Sequence, residues 1–263
     1  MSRVGRIASE CRAGARAFLR RRTAVFFTFF FPVIIVLIFG VLVGTQPTGG
    51  GLFAEPPGYY LPGYLAVVVL FTPLSRVGSE FARHREGSRF EKLSTTPLRR
   101  WEWLLAHTLV NVLVIGAASL LIFGLVVALV DARIALGAQL LLLIPFVALG
   151  VALFCGLGAV LGRLADSQDG VIAASNSVAL PLLFLSETFV TPDLLPAWFR
   201  PITNLSPLTY FARGVRYLTS ERVSTPVVGA TDPTTLALIE LGVLAVLAAV
   251  FFVAGAYAVP YSD

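Results

Sequence analysis

Lysine is almost absent from this chain of 263 residues: Lys92 is the only one. A Walker A loop needs the lysine of G-K-[ST] to reach the phosphates of a nucleotide. Lys92 stands between Glu91 and Leu93, so this chain is no standard P-loop ATPase. Histidine is nearly as scarce, with His84 and His107 alone, which excludes H-E-x-x-H zinc chemistry. No G-x-S-x-G elbow occurs. Cys11 and Cys155 lie far apart in apolar surroundings and form no C-x-x-C, so no disulfide is expected between them. The largest shortage is charge, at 13% of residues against 57% hydrophobic. Soluble domains carry about 25% charged residues. A chain with half that cannot cover a globule with polar surface, so an integral membrane protein is expected.

Six stretches free of Asp, Glu, Lys and Arg are long enough to span a bilayer, or nearly so. They are Thr23–Ala54, Pro56–Ser75, Trp103–Val130, Ile134–Gly162, Gly170–Ser186 and Leu241–Ser262. A spanning helix takes about 20 apolar residues. Backbone polar groups in lipid must be bonded within the segment, so these stretches are helices. They do not alternate as barrel strands do. The fold expected is an all-α membrane protein of six transmembrane helices, with 1–263 as a single domain.

Basic residues assign the sides. If the six helices alternate, residues 1–23, 76–103 and Arg163 share one side and hold 15 of the 20 Lys and Arg residues. Arg133, Arg200, Arg213, Arg216 and Arg222 fall on the other. The positive-inside rule then puts both termini in the cytoplasm. Tyr59, Tyr60 and Tyr64 open the second span, and Trp101 and Trp103 the third, as interfacial aromatic residues would. The first apolar run far exceeds a signal-peptide core of about 7–15 residues, so the first helix is expected to be retained.

Between the spans the pattern is also informative. Residues 3–20 place Val4, Ile7, Ala8, Cys11, Ala15 and Phe18 on one helical face and Arg6, Arg12, Arg16 and Arg20 on the other. Such a helix lies in the membrane interface with its arginines toward the headgroups, giving 1–22 as an interfacial helix. In the loop 76–102, Ser88 and Glu91 read as a capping box that opens a short helix. Thr96-Pro97 reads as the start of the helix that becomes span three. A structured helix between two spans calls for a partner. In the far segment 188–234, Thr191-Pro192 and Ser206-Pro207 read as starts of short helices, with Asp232-Pro233 opening span six. Leu208, Phe211, Val215 and Leu218 form an apolar stripe with Arg213 and Arg216 off it. Asp166 or Asp169 is expected to cap span five. Glu187 and Glu240 sit near the outer ends of spans five and six, where a bond to the outer helices would satisfy them. Asn111 and Asn176 are candidates to bridge helices. Pro32, Pro145 and Pro181 are candidates to kink them.

Arg85-Glu86-Gly87, Glu91-Lys92-Leu93 and Thr96-Pro97-Leu98 together resemble the coupling-helix region of type-2 ABC transporter permeases. Leu195-Pro196-Ala197-Trp198 and Ser206-Pro207-Leu208-Thr209-Tyr210 resemble the outer L-P-x-W and N-P-L-T-Y segment of the same family. Ser206 stands where asparagine is common. The likeness covers nearly the whole chain and is closest to drug exporters of the daunorubicin-resistance type. It implies the membrane subunit of an ATP-driven exporter in a prokaryotic cell membrane. Two such subunits, identical or paralogous, would pair over two cytoplasmic ATPases that bind ATP and Mg. This chain itself would bind no cofactor, no metal and no nucleic acid and would not be an enzyme. The helix carrying Arg85, Glu86, Ser88, Phe90, Glu91 and Leu93 would dock on the ATPase. Spans two and five would line the substrate path, with Phe71, Asn176, Phe184 and Glu187 as candidates. Pro196, Trp198, Pro207 and Tyr210 would mark the outer helices. An ion-coupled secondary transporter working through Glu187 and Glu240, or a non-transporting membrane anchor, are the alternatives.

Overall fold

The computed structural model describes residues 2–43, 55–130, 134, 137–220 and 232–260. Among these, helices dominate and no extended sheet occurs; one isolated bridge joins Ile134 and Ser220. Helix α1 (Arg3–Arg20) is capped by Ser2, whose Oγ accepts from Gly5 N. The first span runs Arg22–Leu42: α2 (Arg22–Ile35) contains Pro32 and continues as a π-helical stretch, Val36–Leu42. A 3-10 turn, Pro57–Tyr60, leads into α3 (Leu61–Glu86), and a six-residue helix α4 (Arg89–Ser94) follows. Then come α5 (Arg100–Leu129), α6 (Leu143–Leu164) after a 3-10 turn at Ala138–Leu142, and α7 (Gln168–Leu185). Short 3-10 turns precede α8 (Pro207–Thr219), and α9 (Pro233–Ala258) is the sixth span. Among the described residues, six helices are thus long and apolar enough to cross a membrane, as expected. The expected regions 44–54 of the first stretch, Arg133 and Arg222 lie outside the described residues.

Helix ends tied by hydrogen bonds show which sides they share. Arg6 of α1 bonds Glu102 at the start of α5. Arg85 at the end of α3 donates to the Arg163 and Ala165 carbonyls at the end of α6. Arg163 donates to the Ala258 carbonyl at the end of α9. The start of α3, the end of α7, and α8 meet at the opposite end through Tyr59, Glu187 and Arg216. The spans therefore alternate in direction, with α1 and α4 on one side and α8 on the other.

Helix α3 is the hub. Its span window is 78% buried, against 11% for the first span. Lipid tails are as apolar as leucine, so helices in a bilayer associate through close packing rather than hydrophobic exclusion. Glycines supply that closeness around α6. A Cβ on Gly156 would stand 2.3 Å from the Phe251 carbonyl oxygen of α9, and one on Gly158 2.5 Å from the Leu74 carbonyl oxygen of α3. Gly255 of α9 returns the contact, 2.6 Å from the Gly156 carbonyl oxygen.

Several local readings are corrected. Helix α3 runs on to Glu86, eleven residues past the expected end at Ser75, so Arg76, Arg83 and Arg85 sit on a helix and not in a loop. Ser88 has φ 50°, in the left-handed region, and its hydroxyl makes no cap bond. The expected capping box cannot form, because an N-cap needs extended backbone to aim its oxygen at the helix. Thr96 bonds back to the Leu93 carbonyl, and α5 starts at Arg100, where Glu102 accepts from Arg99 N. Ser167, not Asp166 or Asp169, caps α7. Trp103, Tyr60 and Tyr64 lie at the starts of their spans and are buried against the bundle.

Candidate functional site

Two polar constellations close the two ends of the bundle. The one beside α1 starts from an acid in an awkward place. Glu102 lies in the first turn of α5 with no exposed surface. A buried charge is costly unless paired and hydrogen-bonded. Arg6 meets it with Nε donating to Oε2 at 3.0 Å and Nη2 to Oε1 at 2.6 Å. This fork joins α1 to α5. That bond also raises the pKa of Arg6, against burial.

Next to it is a cluster of rings. Phe90 of α4 is 5% exposed. It lies 5.0 Å from Phe81, 5.4 Å from His84 and 5.5 Å from Trp103, ring centre to ring centre. His107 lies 4.2 Å from Trp103. Phe90 thereby fastens α4 to α3 and α5. A little deeper, Arg76 Nη1 donates to Asn111 Oδ1 at 3.3 Å, and its guanidinium sits 4.2 Å over the Phe18 ring of α1. Asn111 therefore does bridge two spans, α3 and α5.

The other end is built on Glu187. Its carboxylate accepts from Arg213 Nε at 2.8 Å, from Arg213 Nη2, and from Thr203 Oγ1 at 3.2 Å. Its backbone carbonyl accepts from Arg216 Nη2 at 2.6 Å. Arg216 also stands 4.0 Å over the Tyr59 ring. Arg213 Nη1 reaches Asn204 Oδ1 at 2.9 Å, and Ser206 Oγ reaches the Leu182 carbonyl at 2.8 Å. One carboxylate thus ties the end of α7, the turn after it and α8 into a single latch. Burial works to lower the Arg213 pKa, but its bonds to Glu187 outweigh this and leave it above the ordinary value. Burial pushes Arg216 down, with Tyr59 and Glu187 opposing.

The residues expected for docking do not share one surface. Arg85 and Glu86 are spent on the α6–α7 turn, where Glu86 accepts from Gln168 N at 3.1 Å and from Gln168 Nε2 at 3.0 Å. Phe90 faces inward and Leu93 is half-buried, while Ser88 and Glu91 are exposed, with Arg89 and Lys92 beside them. Of the four path candidates, Phe71 packs partly on the core, Asn176 and Phe184 face outward on α7, and Glu187 is turned into the latch. In the far segment, Trp198 is 71% exposed and Pro196 is exposed. Pro207 is buried in the first turn of α8, and the Tyr210 hydroxyl donates to the Asn204 carbonyl at 2.9 Å.

Glu102, Arg6 and Arg76 are not among the candidates that the sequence marks. A third span that begins at Trp103 leaves Glu102 just outside, and a charge count places Arg76 with the loop arginines. Arg213 and Arg216 are off the Leu208–Leu218 stripe, as read, yet both turn toward Glu187. The signal was available: an acid at the end of span five faces two arginines at i, i+3 on the next helix.

Among the described residues, six helices long and apolar enough to cross a membrane, an amphipathic helix at one end and the packed helix α8 at the other define a polytopic membrane protein. Residues 10–219 match the ABC-2 type transporter family, and the chain belongs to it. It is also similar to the daunorubicin resistance ABC transporter permease protein DrrB1 of Streptomyces coeruleorubidus, with 29% identity over 196 residues. That match covers 71% of this chain and 65% of the relative, so the chain spans just under two thirds of the relative's length.

Proposed function

We propose that this chain is the permease subunit of an ATP-driven exporter, forming the substrate path while separate ATPase subunits supply the energy. The observation that carries this reading is α4. It is a short helix between two spans, fastened to the bundle by Phe90 while Ser88, Arg89, Glu91 and Lys92 face outward. A helix that is anchored on one face and charged on the other suits a docked partner. With 15 of 20 basic residues on the side of α1 and α4, that side is the cytoplasm and both termini lie there. The membrane would be the plasma membrane of a prokaryotic cell.

In this reading two copies, or this chain and a paralogue, pair in the membrane over two ATPases that hold ATP and Mg. The exposed face of α7, with Asn176 and Phe184, would line the path together with α3 and its Phe71. The Glu187 latch would hold that path shut at the outer end. Arg85 and Glu86 would act by holding the α6–α7 turn against α3, not by touching the ATPase. Leu93 would seat α4 beside Phe90. Pro196, Trp198, Pro207 and Tyr210 would shape the outer hairpin. The drug named for the similar Streptomyces protein points to small amphipathic molecules as cargo.

A sodium- or proton-coupled carrier would have to work through Glu240, because Glu187 is already paired within the chain. The test is purification of the tagged protein from native membranes in mild detergent. A P-loop ATPase that comes along, and is lost when Ser88–Leu93 is deleted, supports the reading. A folded protein that carries no ATPase contradicts it.

A further inference from the structure

Between α1, α3, α4 and α5 lies a cavity of about 390 Å³. Small-ligand sites run from about 300 to 1,000 Å³. Glu10, Glu80, His84, His107, Arg89 and Lys92 line it. Glu80 is already paired, with Arg83 at 3.0 Å and Arg21 at 3.5 Å. The others are not. Among the described residues, Glu10, Arg89 and Lys92 form no ion pair or side-chain hydrogen bond. One carboxylate and two cations are thus left over at the same opening. Burial pushes the Glu10 carboxyl above its usual range, Arg89 pulls it back and Glu80 adds to the rise.

The histidines add acceptors. His84 Nδ1 lies 2.7 Å from the Glu80 carbonyl and His107 Nδ1 lies 3.0 Å from the Trp103 carbonyl. A ring nitrogen that bonds a carbonyl must carry the proton, so Nε2 keeps its lone pair in each neutral ring. A carboxylate with two such lone pairs suits a primary ammonium, which has three N–H donors. Arg89 and Lys92 suit a phosphate. Helix α1 is amphipathic, and such helices lie at headgroup depth.

We propose that this cavity holds the phosphoethanolamine headgroup of an aminophospholipid, its ammonium toward Glu10 and its phosphate toward Arg89 and Lys92. A choline headgroup has the same charges but no N–H donors. A glycerol headgroup has the phosphate but no ammonium. The site should hold both more weakly.

Arg89 and Lys92 stand both at this cavity and on the face proposed to dock the ATPase, so the test uses the purified permease with no ATPase present, and its failure leaves the ATPase reading untouched. Native mass spectrometry would follow retention of phosphatidylethanolamine, phosphatidylcholine and phosphatidylglycerol, with soluble phosphoethanolamine as competitor. Phosphatidylethanolamine should be held about tenfold more tightly than phosphatidylcholine, the size of one charge-assisted hydrogen bond. Glu10→Gln should erase that preference. Arg89→Gln with Lys92→Gln should weaken retention of all three lipids. Competition by the soluble headgroup would show that the headgroup alone is recognised. Retention of the lipid without such competition would show that the acyl chains are needed as well. Equal retention of the three lipids by the wild-type protein would overturn the proposal. So would a preference that survives Glu10→Gln in a folded variant. If that variant does not fold, the wild-type comparison decides alone.

Discussion

At the far end of the bundle one residue, Glu187, holds two arginines of α8, Arg213 by its carboxylate and Arg216 by its backbone carbonyl, and closes the turn after α7. At the α1 end an ion pair is also present, but what fastens α4 is a group of rings around Phe90 and Trp103. The two arrangements hold in different ways. An ion pair with little water around it is directional and fails when either partner moves or is lost. Stacked and edge-on rings keep most of their contact when they slide, because each pair has several geometries of similar energy. In the proposed exporter the far end would stay shut or open outright, and the α1 end would pass on a displacement.

Substitutions should break that comparison unevenly. The largest effect is expected at Glu187, where alanine leaves Arg213 near a vacated acceptor while Arg216 keeps the backbone carbonyl. Removing one partner of a buried pair costs about 3–5 kcal/mol, and thermal unfolding in detergent should show a loss of about that size. Exchanging the pair, Glu187→Arg with Arg213→Glu, should recover part of it. Phe90→Ala should cost about 3 kcal/mol by loss of buried ring contacts. Its effect should stay local, with faster proteolysis around α4 and unchanged insertion. Gly255→Ala forces a Cβ against the backbone of α6 and should cost about 2 kcal/mol by overpacking, with no change at either end. The smallest change is a gain. Ser88 pays for a left-handed backbone that glycine adopts freely, so Ser88→Gly should stabilise the α3–α4 turn by about 1 kcal/mol, seen as slower amide exchange there.

Much of the architecture was legible because the bilayer imposes it. Runs without charge, a bias of arginine to one side and an amphipathic N-terminus each follow from the cost of polar groups in lipid, and each appears as expected. The points of failure share a cause. The end of α3 was set at Ser75 by counting charge, yet a helix can carry Arg76 inside the bundle when Asn111 and the Phe18 ring receive it. For Trp103 and the tyrosines, composition gives depth but not direction. The glycine seam of α6 could have been found, since Gly158 and Gly162 have the small-xxx-small spacing of close helix pairs. The docking residues follow from a resemblance along the sequence, and only the structure separates the inward Phe90 from the outward Glu91 and Lys92.

The central claim is that α4 receives a partner on its charged face and passes the motion inward through Phe90. ATP hydrolysis and transport, measured together on the permease reconstituted with its ATPase, test it most directly. Reversing Arg89, Glu91 and Lys92 should abolish co-purification and with it all transport. Phe90→Ala should keep the ATPase bound and hydrolysing while transport per ATP falls severalfold, and Phe90→Trp should restore it. Full coupling in the Phe90→Ala protein, or an ATPase that stays bound after the charge reversal, would contradict the account.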